Sequence, residues 1–475
     1  MGGLLGAALV LGGASQQNAL QIGLLELAGL AVLIAGSADP RPTAPTARIP
    51  VWLLVAFAIL PLLQLAPLPP QLWTQLPTRG ALAADLRGAG LSDGWRPLSL
   101  APDLTLASLL ALIPPAAVFL VTLRTGPRAR WAMVLAMIAF AMASVLLGLA
   151  QVAAGPTTGL RFYPRTNVDS GVGFFSNRNH FALLLVLAVP FIAAAAAEVL
   201  GVQRPGRTRA LILVATFALY AVLIVGVGVG RSRAGVLLLA PAMLGSFLIL
   251  FGRSNGRRSR PLALFFGAAG LAGVALALAF GLGGLAERFA TSPENEVRWQ
   301  TAPIVAKAGL DLAPFGAGVG VFEPAYRAVE PTRLLGPEYL NHAHDDVLEL
   351  WLDAGVPGLL LLMAALAWLG VASVRAWRAG PPDAALERAA SIAIGLQILA
   401  SIVDYPLRTL AHACLFAFSC ALIASPVVRR RVRTEPEYRP SPRNVTTALD
   451  GVPAFEITGH SGRYPMLEPS RPTPG

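Results

Sequence analysis

The sequence predicts an all-α polytopic membrane protein of about twelve transmembrane helices, with one large outer loop between the ninth and tenth. Three observations lead there. Of 475 residues, 55% are hydrophobic and only 13% charged, with a mean hydropathy of +0.62, whereas a soluble chain carries about 25% charged residues. The apolar residues fall in long runs bounded by Arg, Pro or Gly, and arginines recur in every second short loop. This composition excludes a disordered chain, a disulfide scaffold and a collagen-like fibre, because there are two Cys and the 47 Gly follow no triplet rule. Cys414 and Cys420 lie six apart in one apolar run, where a helix turns them to different faces, so no disulfide is expected between them.

In chain order the runs occupy 4–13, 19–36, 51–67, 104–121, 131–154, 181–200, 210–229, 234–251, 262–282, 357–376, 389–403 and 411–427. Each must be helical, since a lone strand leaves its backbone groups unsatisfied in hydrocarbon. The first run is short against the ~20 residues a span needs; it lacks a basic n-region, so no cleavable signal is expected. Residues 1–172 hold the N-terminal helices, 173–427 a membrane domain with the outer loop at 284–356, and 428–475 a Pro-, Ser- and Arg-rich tail expected to be disordered.

Orientation follows from the short loops. Arg41 and Arg48, then Arg124, Arg128 and Arg130, then Arg204, Arg207 and Arg209 mark alternate connections. Arg253 to Arg260, Arg375 to Arg388 and Arg429 to Arg433 continue the pattern, which places these loops and both termini inside. The opposite side also carries Arg161, Arg165, Arg178, Arg231, Arg233, Arg288, Arg298, Arg327, Arg333 and Arg408. Arginine set against the insertion preference points to a binding role. Because Lys307 is the only lysine, an anion bound here meets guanidinium forks, which suit phosphates. The lipid bilayer is one expected partner, and nucleic acid is not.

The densest polar patch is Asn341-His342-Ala343-His344-Asp345-Asp346, with Glu349 and Asp353 following on a helix expected over 347–354. Metal ligation, a histidine base with a carboxylate neighbour, and a helix N-cap with Glu349 reaching back all fit it. No HExxH helix or second His cluster completes a metal set, so no metal and no cofactor are expected. The glycines at 316, 318 and 320 read as turn formers, because no βαβ unit surrounds them, and those at 226, 228 and 230 as close helix packing. Asn177-Arg178-Asn179-His180 and Arg231-Ser232-Arg233 lie where lipid phosphates would be.

Taken in order, Gly-Phe-Phe-Ser-Asn-Arg-Asn-His-Phe-Ala (173–182), Ser-Arg-Ala-Gly (232–235), Arg298-Trp299 and Pro-Phe-Gly-Ala-Gly-Val-Gly-Val-Phe (314–322) form the first half of a pattern. His-Ala-His-Asp-Asp-Val-Leu-Glu-Leu (342–350), Ala-Gly-Val-Pro-Gly (354–358) and Asp-Tyr-Pro-Leu-Arg (404–408) complete it. This ordered set resembles the O-antigen ligase family, which includes O-antigen polymerases and protein O-oligosaccharyltransferases. The resemblance implies a bacterial inner-membrane enzyme that takes a glycan from undecaprenyl diphosphate at the periplasmic face. The acceptor it implies is a lipid A-core, a glycan or a protein. The family's histidine corresponds to His344, followed here by Asp345 where asparagine is commoner, and its arginines to Arg233 and Arg298. Under this reading His344 is the general base and His342, Asp345 and Asp346 support it. Arg233, Arg298, Arg178, Arg231 and Arg408 are candidates to hold the donor diphosphate, whose leaving charge a guanidinium can carry without a metal. A transporter is the competing class, since about twelve helices also suits a carrier; against it, no internal repeat is evident and the polar clusters sit in outer segments.

Overall fold

The computed structural model describes residues 2–14, 19–39, 41–164, 166–200, 206–251, 293–336, 339–379 and 384–426, with side chains omitted over 293–299. The run at 262–282, the tail at 428–475, Arg165, Arg204, Arg288, the arginines at 253–260 and 429–433, and the side chain of Arg298 lie outside the described residues.

The chain begins with α1 (Gly2–Leu11), α2 (Ala19–Ser37) and α3 (Arg48–Leu65). An excursion follows, pairing β1 (Pro67–Leu68) antiparallel with β2 (Arg96–Pro97) around the short α4 (Pro70–Trp73) and α5 (Arg79–Gly88). The single predicted span at 104–121 is two helices, α6 (Pro102–Leu110) and α7 (Ile113–Arg124), since Pro114 and Pro115 lack the N–H groups that would continue the ladder. Then come α8 (Pro127–Ala154), α9 (Arg178–Leu200), α10 (Gly206–Gly230) and α11 (Arg233–Phe251). The predicted outer loop is not all loop: it holds α12 (Pro293–Asp311) and α13 (Phe322–Arg327). The chain returns through α14 (Asp346–Arg378), α15 (Ala385–Ala400) and α16 (Leu410–Ala424). Eight helical segments among the described residues are long and apolar enough to cross a membrane. Cys414 and Cys420 are both free, as their spacing requires.

The buried axis is α9, whose residues from His180 to Ala194 are all buried. It packs against α8, α10, α11 and α15. Glycine permits close approach: a Cβ on Gly226 of α10 would meet Leu185 and Val145 at 2.6 Å, and one on Gly235 of α11 would meet Ala182 at 2.5 Å.

At one end of the bundle the loop arginines satisfy helix C-termini, whose last carbonyls have no partner of their own. Arg124 donates to Gly36 O at 2.6 Å, closing α2, and Arg388 to Ala379 O at 2.6 Å, closing α14. Arg130, buried, reaches Thr125 O at 3.1 Å and the Ser425 carbonyl beyond α16. These arginines thus hold the helix ends together.

At the other end α14 is broken. Gly355 (φ 55°, ψ −143°) interrupts it, so a short N-terminal piece up to Ala354 precedes the long span. The carbonyls stranded by the break are taken by the 314–322 loop: Ala317 N donates to Leu352 O at 2.8 Å and Gly318 N to Asp353 O at 2.9 Å. Gln64, fully buried near the end of α3, adds Nε2 to Asp353 O at 3.1 Å and accepts Val319 N at 2.9 Å. The glycines at 316, 318 and 320 all have positive φ, and a Cβ on Gly316 would meet Asp353 at 2.6 Å. The loop is therefore a wrap around a broken helix, and its glycines form turns as expected.

Candidate active site

The start of α14 is set by its cap. Asp345 has extended backbone and accepts from Val347 N at 2.9 Å and Leu348 N at 3.0 Å, satisfying two N–H groups of the first turn. Glu349 reaches back past the cap to Ala343 N at 3.0 Å and to His342 Nδ1 at 2.9 Å. With Ala343 and Asp345 both anchored, His344 between them takes the left-handed conformation, φ 52°. That strain, about 1–2 kcal/mol, persists because the flanking bonds over-determine it.

The two histidines consequently differ. His342 is buried, bonded to Glu349 and packed on the Tyr405 ring, with centroids 4.3 Å apart. The side chain of His344 keeps 17% exposure, and its Nδ1 lies 3.3 Å from Asp404 Oδ1. The sequence reading set Asp345 beside His344 as a supporting residue; in the structure its carboxylate is turned to its own helix as a cap. The carboxylate next to the His344 imidazole is that of Asp404, 60 residues further on.

Asp404 is the hub of the site and is itself buried. Its Oδ1 accepts Tyr405 N at 3.0 Å, and its Oδ2 accepts Asn179 Nδ2 at 2.8 Å and Asn177 Nδ2 at 3.5 Å. His180 Nε2 stands 3.9 Å away. A carboxylate surrounded by donors only accepts, so the His344 proton sits on Nδ1 and Nε2 is left as the basic nitrogen. Burial pushes the Tyr405 hydroxyl up to about 12, and Asp404 beside it adds to the effect, so this ring stays neutral at physiological pH.

Arg408 lies on the other side of the histidine stretch among three carboxylates: Asp353 at 3.2 Å, Asp346 at 3.4 Å and Glu349 at 3.4 Å. Burial works against its charge, but the carboxylates outweigh burial and raise its pKa further, keeping it a fixed cation. Asp353 also accepts Gly320 N at 3.0 Å, which ties the glycine loop to this network. Asp346 therefore serves Arg408 and not His344. Among the described residues no group of three His, Cys, Asp or Glu is arranged to hold a metal ion.

The other arginines separate by position. Arg161 is spent inside its own loop, donating to Asn167 O at 2.9 Å and Val168 O at 2.8 Å. Arg178 opens α9 and pairs with Asp169 at 3.4 Å. Arg231, exposed, adopts φ 48° in the turn between α10 and α11, and Arg233, half-buried, begins α11. Ser232 between them donates to Asn179 Oδ1 at 2.8 Å, which joins this turn to the Asp404 hub. Arg298 falls on α12. Sequence reasoning noted Asn177 and Asn179 in the 177–180 cluster and Asp404 and Tyr405 in the 404–408 motif, but gave none of the four a role of its own, and it passed over Gln64, a polar residue within an apolar run.

The family described as O-Antigen ligase matches the chain over residues 217–363. That stretch contains the Arg231–Arg233 turn, α12, the glycine loop and the histidine stretch, while Asp404, Arg408 and Asn179 lie beyond it. The match supports the resemblance read from the motifs. It points to a membrane glycan transferase of the ligase or polymerase type and does not favour a transporter. A comparison with curated proteins finds no match.

Proposed function

We propose, taking the O-antigen ligase match as premise, that this protein transfers a glycan from undecaprenyl diphosphate to an acceptor hydroxyl, with His344 as general base. The observation that carries the reading is the partly exposed, strained His344 held at Nδ1 by Asp404, joined by hydrogen bonds to a turn bearing two arginines. In this reaction the acceptor oxygen attacks the sugar C1 and its proton passes to Nε2 of His344. The C1–O bond to phosphate breaks with inversion, and its electron pair leaves with the diphosphate. Arg233 and Arg298 hold the developing charge, with Arg231 and Arg178 flanking. Arg408 is committed to three carboxylates and serves as the countercharge that allows them to be buried beside the base.

Residues 173–427 form the ligase-like domain, 1–172 precede it and 428–475 follow. The proposed topology has about twelve helices, with the arginine-capped end in the cytoplasm by the positive-inside rule and the site at the periplasmic face of a bacterial inner membrane. The acceptor is a lipid A-core, a second lipid-linked glycan or a protein. The test incubates purified protein with an undecaprenyl-diphosphate-linked glycan and each acceptor in turn, with and without exhaustive chelation. Transfer to one acceptor that survives chelation is expected. Loss on chelation with rescue by one divalent ion would contradict the arginine-based account, and transfer to none would contradict the reaction.

A further inference from the structure

Two polar residues at the site have no part in the chemistry above: Asn179 in the first turn of α9 and Ser232 in the turn before α11. They are 53 residues apart in sequence and bonded at 2.8 Å. The direction of every bond around them is fixed. Ser232 Oγ accepts Gly235 N at 3.0 Å, so its own proton is free to go to Asn179 Oδ1. The Asn179 amide, with its oxygen thus occupied, turns Nδ2 to Asp404 Oδ2 at 2.8 Å, while its backbone N–H is held by Asn177 Oδ1 at 2.8 Å. Only one amide orientation satisfies all of these bonds. With Oδ2 pinned, the Asp404 carboxylate cannot swing, and Oδ1 is kept for His344 Nδ1.

We infer that Asn179, gripped by Ser232, is a positioning residue that fixes Asp404 against His344 and holds the Arg231–Arg233 turn in register with the base. The inference rests on the reading of His344 as the base. Physically, the amide does two things. It sets where the imidazole stands, and by donating to Asp404 it lowers that carboxylate's hold on an imidazolium proton. Other titratable groups facing this pair include His180 on α9, His342 and Tyr405. No substitution at Asn179 or Ser232 removes any of them, although His180 shares Asp404 with His344 and feels the same change.

The experiment measures transfer from an undecaprenyl-diphosphate-linked glycan by the purified full chain, over a range of pH and donor concentration. It compares Asn179→Ala, Asn179→Asp, Ser232→Ala and His344→Ala with wild type. Asn179→Ala and Ser232→Ala should lower kcat by about 10- to 100-fold, with donor KM changed by less than about threefold. In Asn179→Ala the acidic limb of the profile should move upward by about 0.5 to 1 pH unit, because Asp404 without its donor holds the imidazolium proton more tightly. Asn179→Asp keeps the shape but sets a second carboxylate against Asp404, and two such groups cannot both ionise freely. Its transfer should therefore recover on acidification through a range where the wild type declines. An unshifted profile in folded Asn179 variants, or a loss confined to donor KM, with His344→Ala inactive, would overturn the positioning role alone. Wild-type transfer by His344→Ala would instead remove the base reading on which the role rests.

Discussion

His344 is available because its neighbours are otherwise engaged. Asp345 caps α14, Asp346 meets Arg408, His342 is held by Glu349, and only His344 is left strained and partly exposed. The histidines and acids were legible in the sequence as a dense polar patch, but their pairing was not. Adjacency suggested Asp345 as partner, whereas an N-cap carboxylate is drawn to the N–H groups of its own helix. Asp404 could not be inferred by spacing, since only the packing of α15 and α16 brings it to the stretch. The arginines show the same limit: all appeared as charges against the insertion rule, yet Arg161 braces a loop and Arg408 neutralises acids. For Arg233 the proposed task is bidentate, so Arg233→Lys should keep the charge and lose one charged hydrogen bond, lowering transfer by about 10- to 100-fold. Wild-type turnover in that variant, measured at sub-saturating donor, would exclude a guanidinium clamp there.

Among the elements, the long apolar helices were legible because hydrocarbon leaves the backbone no alternative, and Gly, Pro and Arg marked their ends. Breaks and additions were harder to see. The split between α6 and α7 lies inside one apolar run, and α12 carries no continuous apolar stretch to announce it. The break in α14 is the element on which the site depends, since it stops the first piece of the helix at a level where loop 314–322 can bind it. Gly355→Ala should expose that dependence: φ there is +55°, and a Cβ would collide with the Pro314 carbonyl. Strain and overpacking together should cost about 2–4 kcal/mol, visible as a lower melting temperature in detergent with a parallel loss of transfer. An unchanged melting temperature would mean that the loop and the break are not coupled as their hydrogen bonds indicate.

Across the whole molecule, the hydrogen bonds sort the loops onto two ends. Gly36, Arg124, Arg130 and Ser425 share one end, while Gly13, Ser176 and Ala411 meet at the other: Gly12 O accepts Ala411 N at 3.0 Å and Gly13 O accepts Ser176 N at 3.1 Å. Under the proposed topology the positive-inside rule assigns the first end to the cytoplasm. A cysteine placed near Glu330 should then react with an impermeant maleimide in spheroplasts with intact inner membranes. Labelling only after that membrane is permeabilised would invert the topology. The central claim, that a glycosidic bond is broken and remade here by His344, is tested most directly by following one radiolabelled undecaprenyl-diphosphate glycan through wild type and His344→Ala in the same proteoliposomes. Wild type should release undecaprenyl diphosphate in step with glycan joined to acceptor. His344→Ala should bind the donor as tightly and transfer about 10²- to 10⁴-fold more slowly. Undiminished transfer by the variant, or movement of the donor across the bilayer with its C1–O bond intact, would contradict the account.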